Sequence, residues 1–248
     1  MFDWLLTCFT GRAKVASNKM TDTELWERLR HKIDRSSQDD PLLGARLGAK
    51  QITHNLRCSM ATECGVHIES FLCALASCAG YSCQASLRAK ARSHGLDETA
   101  YFVRVEGEDG TAYFFGDALN RPLAESRYSV WSLAAGASQA AGCTEVLDMQ
   151  DIFRHVAHTV GTPEFGLPRL PPEHSVSGKP LHFLEDLWPQ ILPLMLKFCP
   201  DPDHWPILMG LGIHDMIVEA KDVLDPCIAL KIVMESAIPM SKVDLRTA

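Results

Sequence analysis

The sequence predicts an α+β fold in which a helix packs on a mostly antiparallel sheet and a helical C-terminal part follows. Three observations favour this class. Apolar residues recur with helical spacing through 64–79, strand-like segments flank an Asp-Gly turn at 109–110, and the patterns beyond 180 are all helical. With 248 residues, of which 46% are hydrophobic and 22% charged, the chain fits one large or two small globular domains.

Composition shifts divide the chain into four parts. Residues 161–180, GTPEFGLPRLPPEHSVSGKP, are rich in Pro and Gly and show no helical or strand period, which predicts a linker or an extended arm. We therefore expect a short N-terminal segment at 1–20, an α+β domain at 21–160, this linker, and a helical region at 181–248. The apolar run of the first segment is too short to span a membrane and lacks the basic start of a secretory signal.

Two helices are predicted before the apolar stripe. Thr21 or Thr23 can cap the first, because acidic residues fall early and basic residues late in TDTELWERLRHKID, as the helix dipole favours. The run 36–41, SSQDDP, ends it. A second helix is predicted over 42–56.

The stripe itself predicts a capped helix followed by strands. Thr62 is a suitable N-cap, and Gly80 is placed as a helix-terminating residue. Alternation predicts strands at 82–91, 99–106 and 111–115, the last two joined by the Asp-Gly turn, with a fourth strand at 128–133. The stripe comprises Cys64, Ile68, Phe71, Leu72, Leu75 and Ala79.

The remaining elements are predicted helices. One covers 147–160, and others cover 181–198 and 207–224. Asp225 as N-cap with Pro226 in the first turn predicts a last helix that runs to about 237.

Charge and cysteine content exclude several classes of function. A net charge of −7 disfavours binding to nucleic acid or to an anionic membrane, since both need a dense basic patch. The nine cysteines include no CxxC pair and most lie among apolar residues, which favours free thiols in a reducing cytoplasm. No phosphate-binding loop, dinucleotide fingerprint or serine-hydrolase elbow occurs, so no organic cofactor is expected.

Cys64 is the candidate nucleophile, because a thiol in the first turn of a helix is acidified by the dipole. The order of Cys64, an apolar helix ending at Gly80, strands around an Asp-Gly turn, and Asp117 resembles the transglutaminase-like branch of the papain-like cysteine enzymes. The resemblance covers residues 62–120. It implies a cysteine-dependent hydrolase or acyltransferase in which Asp117 orients a histidine base.

The histidine of that family is missing from its expected place. Ala100 or Tyr101 stands there. The alternative bases are His94, in the preceding loop, and His67, which follows Cys64 by three residues. The missing base favours a scaffold without catalytic activity.

A metal site is the other candidate. Asp151, His155 and His158 are spaced i, i+4 and i+7 in the predicted helix 147–160, so they share one face. Two imidazoles and a carboxylate are suitable ligands for a divalent metal such as zinc or iron. A solvated polar face is the alternative interpretation of the same spacing.

The sequence thus favours a non-catalytic binding or assembly module on a cysteine-enzyme-like scaffold. The alternatives are the hydrolase or acyltransferase and the metal-binding protein. Its partner is expected to be another protein or a second copy of the chain, since the C-terminal helices are apolar on more than one face and need cover.

Overall fold

The computed structural model describes residues 22–36, 39–107 and 110–245. The chain forms two compact units, Met1–Asp40 and Pro41–Ala248. The first contains helix α1, Asp22–Ser36, which confirms the first predicted helix. The predicted segment 1–20 and the cap at Thr21 lie outside the described residues.

The described residues of the second unit form a helical assembly and one hairpin. Between α4 and α5 the chain forms a short π-helical turn, Arg121–Glu125, and before α8 a 3-10 turn, Pro202–His204. No helix among the described residues is long and apolar enough to span a bilayer. The elements are α2 Leu43–Met60, α3 Ile68–Ser93, β1 Val103–Glu106, β2 Ala112–Phe115, α4 Asp117–Asn120, α5 Val130–Ala140, α6 Met149–Thr159, α7 Pro180–Phe198, α8 Trp205–Ala220 and α9 Pro226–Met240.

Helix α3 is the centre of this unit. It is 26 residues long, and every residue from 70 to 84 is buried. Helices α2, α7, α8 and α9 pack around it. Small residues permit the closest approach: a Cβ at Gly80 would lie 2.0 Å from the backbone oxygen of Ala237 in α9.

Two of the predicted strands are therefore wrong. Residues 82–91 continue α3, and Gly80 lies inside the helix instead of ending it. Residues 130–133 open α5, because the Ser129 side chain accepts a hydrogen bond from the Ser132 amide and caps a helix there.

The remaining two strands form the sheet. β1 and β2 pair antiparallel in the register Val103↔Phe115 to Glu106↔Ala112, which confirms the predicted hairpin. Residues 108 and 109 of its turn lie outside the described residues. The fold is thus mixed but mostly helical, and the sheet among the described residues has two strands.

The C-terminal helices confirm their predictions and belong to the same unit as α3. The Asp225 side chain accepts a hydrogen bond from the Cys227 amide at 2.7 Å, as expected of an N-cap. Because α7, α8 and α9 pack on α3, most of their apolar residues are buried within one chain, although Leu196 and Val218 stay exposed. The division predicted at 161–180 falls inside this compact unit.

Candidate functional site

The thiol of Cys64 lies in a tight turn that precedes the central helix. The Thr62 and Gly65 amides donate to each other's carbonyl oxygens at 2.9 and 3.1 Å, and the Thr62 hydroxyl donates to Gly65 O at 2.8 Å. Gly65 has a φ of +100°, which a side chain would strain. Since α3 begins only at Ile68, Cys64 is exposed and lies outside the first turn. The prediction that Cys64 lies in the first turn of a helix is therefore wrong.

Polar side chains at the start of α3 fasten the segment 161–179, which we call the arm. His67 Nδ1 lies 2.8 Å from Ser70 Oγ, and its Nε2 lies 3.5 Å from a Glu69 carboxylate oxygen. The Ser177 amide donates to Ser70 Oγ at 2.8 Å, and His174 Nδ1 lies 3.4 Å from the other Glu69 oxygen. Two residues of the arm thus bind two residues of the helix.

This cluster contains a hydroxyl, an imidazole and a carboxylate, which are the groups of a catalytic nucleophile–base–carboxylate chain, but it is closed to a substrate. Ser70 Oγ accepts a hydrogen bond from the Ser177 amide and lies 2.8 Å from His67 Nδ1, so it is engaged on both sides. Ser70 is only 1% exposed, which leaves no approach for a substrate carbonyl. The hydrogen bonds therefore serve to hold the arm on the helix.

The other predicted catalytic residues lie elsewhere. His94 is the C-cap of α3, at the opposite end from Cys64, and a helix of this length separates its two ends by roughly 39 Å. The exposed Asp117 opens α4 after the hairpin. The structure brings His67 near the start of α3 but does not bring Cys64 and His94 together.

The proposed metal ligands lie on α6, and two of them, Asp151 and His158, have other partners. The Asp151 carboxylate forms ion pairs with Arg169 at 2.8 Å and with Arg154 at 3.6 Å. His158 Nδ1 lies 2.7 Å from the Arg154 carbonyl oxygen, while His155 is half-buried. In the part of the chain that the structure describes, no group of three or more His, Cys, Asp or Glu residues could hold a metal ion.

A second polar cluster, which sequence analysis missed, holds the C-terminal segment against α3. The Gln84 side-chain amide donates to the carbonyl oxygens of Ser241 and Val243 at 2.9 and 3.0 Å. The Gln84 oxygen accepts from Arg88 Nε at 2.9 Å, and the Arg88 guanidinium lies 3.7 Å from the Asp244 carboxylate. All of these residues are buried, so the cluster is part of the core.

Lys242 is the most unusual member of this core. It is 2% exposed, and its ammonium lies 5.4 Å from the Phe115 ring centroid and 5.8 Å from that of Phe153. Burial lowers the pKa of Lys242 to about 8. The neighbouring Cys83 thiol has its pKa raised to about 12, chiefly by burial, so it is a neutral core residue.

A disulfide joins the loop after α5 to the start of α9. Cys143 and Cys227 are bonded across a sequence separation of 84, contrary to the expectation of free thiols at these positions. The bond borders a cavity of about 250 Å³ lined by 145–148, Pro171 and the first two turns of α9. The described free cysteines are Cys58, Cys64, Cys73, Cys78, Cys83 and Cys199.

The hairpin presents an open strand edge. All four residues of β1 are exposed, including Val103 at 62% and Val105 at 39%. The far edge of β2 is occupied, because the Phe114 amide donates to the Lys242 carbonyl oxygen at 2.8 Å. Among the described residues, β1 pairs with β2 alone.

The register determines which groups of β1 point outward. Gly107 donates to Thr111 O at 2.9 Å, so this pair is a hydrogen-bonded one. Hydrogen-bonded and non-hydrogen-bonded pairs alternate along an antiparallel ladder. Val105 therefore turns its backbone groups towards β2, while Arg104 and Glu106 turn theirs away from the hairpin.

Comparison with known proteins yields no relative: no family model, no curated protein and no solved structure matches the chain. The resemblance to transglutaminase-like enzymes therefore rests on the order of residues within 62–120.

Proposed function

We propose that this protein is a non-catalytic binding or assembly module that recognises its partner by strand addition at β1. The observation that carries this proposal is the open edge of β1, where every residue is exposed and no described segment pairs with Arg104 or Glu106. An open edge offers unpaired N–H and C=O groups to an extended segment of a partner.

The side chains of β1 suit a selective edge. Val103 and Val105 share one face of the strand and offer apolar contact. Arg104 and Glu106 share the other face, where they form an ion pair at 3.8 Å. Charged residues on an edge strand oppose unselective aggregation and favour a partner whose charges match them.

The polar clusters of the core support a binding function over a catalytic one. Ser70, His67 and Glu69 hold the arm, while Gln84 and Arg88 hold the C-terminal segment. Each of these groups is engaged in internal contacts, and the hydrolase alternative gains no support from their geometry.

The test uses two fluorescein-labelled peptides. One copies residues 101–107, and the other has threonine in place of Arg104 and Glu106. We expect both to bind the protein by fluorescence anisotropy. Glu106→Pro should abolish binding because it removes an outward-facing N–H, whereas the matched Glu106→Thr variant keeps that N–H and should still bind.

The proposal fails if the protein stays monomeric and neither peptide changes in anisotropy at protein concentrations up to about 1 mM, which is the weak end of specific association. Binding that Glu106→Pro leaves intact would equally contradict it, since the contact would then lie elsewhere.

A further inference from the structure

The residues that face outward from β1 carry opposite charges. Arg104 and Glu106 are separated by one residue, and their side chains are 60% and 63% exposed. Each turns its backbone N–H and C=O away from β2, as the register requires. The open edge is thus a short row of two hydrogen-bonding residues, one basic and one acidic.

Resting on the proposed function, we infer that the partner of β1 is β1 of a second copy. The two strands pair antiparallel about a twofold axis through Val105, which joins two hairpins into one four-stranded sheet. In this register Arg104 lies directly opposite Glu106 of the second copy, and Glu106 lies opposite its Arg104. Both cross-strand pairs are attractive.

Charge selects this register over its neighbours. Antiparallel pairing brings the outward-facing residues together in three ways: Arg104 opposite its own copy, Glu106 opposite its own copy, or each opposite the other. The first two place like charges directly across from each other, which destabilises a strand pair. Only the third satisfies the backbone groups of both residues and both charges at once.

The apolar face of β1 is completed by the same pairing. The twofold axis places Val105 beside Val105 of the second copy in a non-hydrogen-bonded pair, where side chains approach most closely. Val103 extends this apolar surface on each side, and it is the more exposed of the two valines at 62%. The four-stranded sheet adds backbone hydrogen bonds at the edge of β1, while β2 is already bonded to the C-terminal segment at its own far edge.

Charge reversal tests the register directly. The wild-type protein should have a mass of about 55 kDa by light scattering, twice the 27.5 kDa of one chain. Arg104→Glu and Glu106→Arg should each raise the dimer Kd about 30-fold, since either turns two attractive pairs into two repulsive ones. Mixing these two variants should restore a dimer, and the double reversal should restore it within one chain.

Amide hydrogen exchange locates the contact. The amides of Arg104 and Glu106 should exchange more slowly as the protein concentration rises, whereas those of Val103 and Val105, bonded to β2, should not respond. Circular dichroism of each variant checks that the exposed substitutions leave the fold intact.

Three results would overturn the inference: a wild-type monomer at all concentrations, a dimer indifferent to both reversals, or a dimer in which the outward amides exchange as in the monomer. A monomer that still binds the threonine peptide rejects self-pairing while leaving strand addition at β1 in place. A monomer that binds neither peptide rejects both.

Discussion

Replacing Lys242 with methionine should stabilise the protein at neutral pH. The lysine is 2% exposed, and its ammonium lies 5.4 and 5.8 Å from the Phe115 and Phe153 ring centroids. Methionine keeps most of the aliphatic stem and removes the charge. The change in the free energy of unfolding of this variant therefore measures how much the buried ammonium destabilises the folded protein.

The magnitude follows from the pKa of the lysine. Burial lowers it from 10.5 to about 8. That difference corresponds to about 3 kcal/mol of lost solvation for the charged form. Cation–π attraction to the two rings, both near the distance limit of such contacts, offsets about 1 kcal/mol of this desolvation cost. We expect Lys242→Met to raise the free energy of unfolding at pH 7 by about 2 kcal/mol.

The pH dependence has a defined sign. Below pH 8 the lysine is protonated in the folded and unfolded states, so the cost of burial is fully present. Between pH 8 and 10.5 the folded protein releases a proton that the unfolded chain keeps, and wild-type stability rises relative to the variant. The difference in free energy of unfolding between the variant and the wild type should therefore shrink as the pH approaches 10.5. Buried thiols whose pKa Lys242 does not shift, such as Cys73 with a pKa raised to about 11, lower stability above pH 9 in both proteins and cancel in the comparison.

Urea unfolding at several pH values between 7 and 10 measures this difference. Lys221→Met, at an exposed position after α8, is the matched control and should stay within about 0.5 kcal/mol of wild type. A Lys242→Met variant that is less stable than wild type at pH 7, or a difference that does not change with pH, would refute the reasoning.

Three further predictions concern the packing of the second unit. Gly80→Ala should destabilise the unit by more than about 3 kcal/mol, because the added methyl would meet the backbone of α9. Gly136→Ala, in the open part of α5, should stabilise it by about 0.5–1 kcal/mol. Thermal unfolding compares the two variants, and a well-tolerated Gly80→Ala would contradict the close packing. Reducing the Cys143–Cys227 disulfide should lower the free energy of unfolding by about 4 kcal/mol, because the bond closes a long loop. A control variant with serine at both of these positions should show no change in stability when the reductant is added. Glu235→Gln should lower the free energy of unfolding by roughly 2 kcal/mol and speed proteolysis within 161–179, because the buried carboxylate binds Arg169 of the arm. An unchanged rate of cleavage would show that other contacts hold the arm.

Features determined by neighbouring residues were predictable. The hairpin and the start of α9 depend on local turn and capping chemistry, and both are where the sequence places them. The cap at Thr62 was not found, because its hydroxyl and amide instead close a turn with Gly65.

Features determined by distant residues were not predictable. Ser82, Gln84, Ser86 and Arg88 alternate with less polar residues, which suggested a strand with a solvated face. The structure buries all four in α3, and the backbone carbonyl partners of Gln84 lie more than 150 residues away along the chain. A third strand at 82–91 would also have offered β1 a neighbour, so its open edge was not foreseen.

The central helix has a consequence for synthesis. Its cover comes mainly from α7, α8 and α9, which leave the ribosome about a hundred or more residues later. Until then a nascent chain carries a helix that is apolar on nearly every side and has nothing to pack against, which makes it prone to aggregation. Contacts between segments so far apart in sequence also slow folding. We expect the growing chain to depend on chaperones, and truncation before α9 to yield insoluble protein.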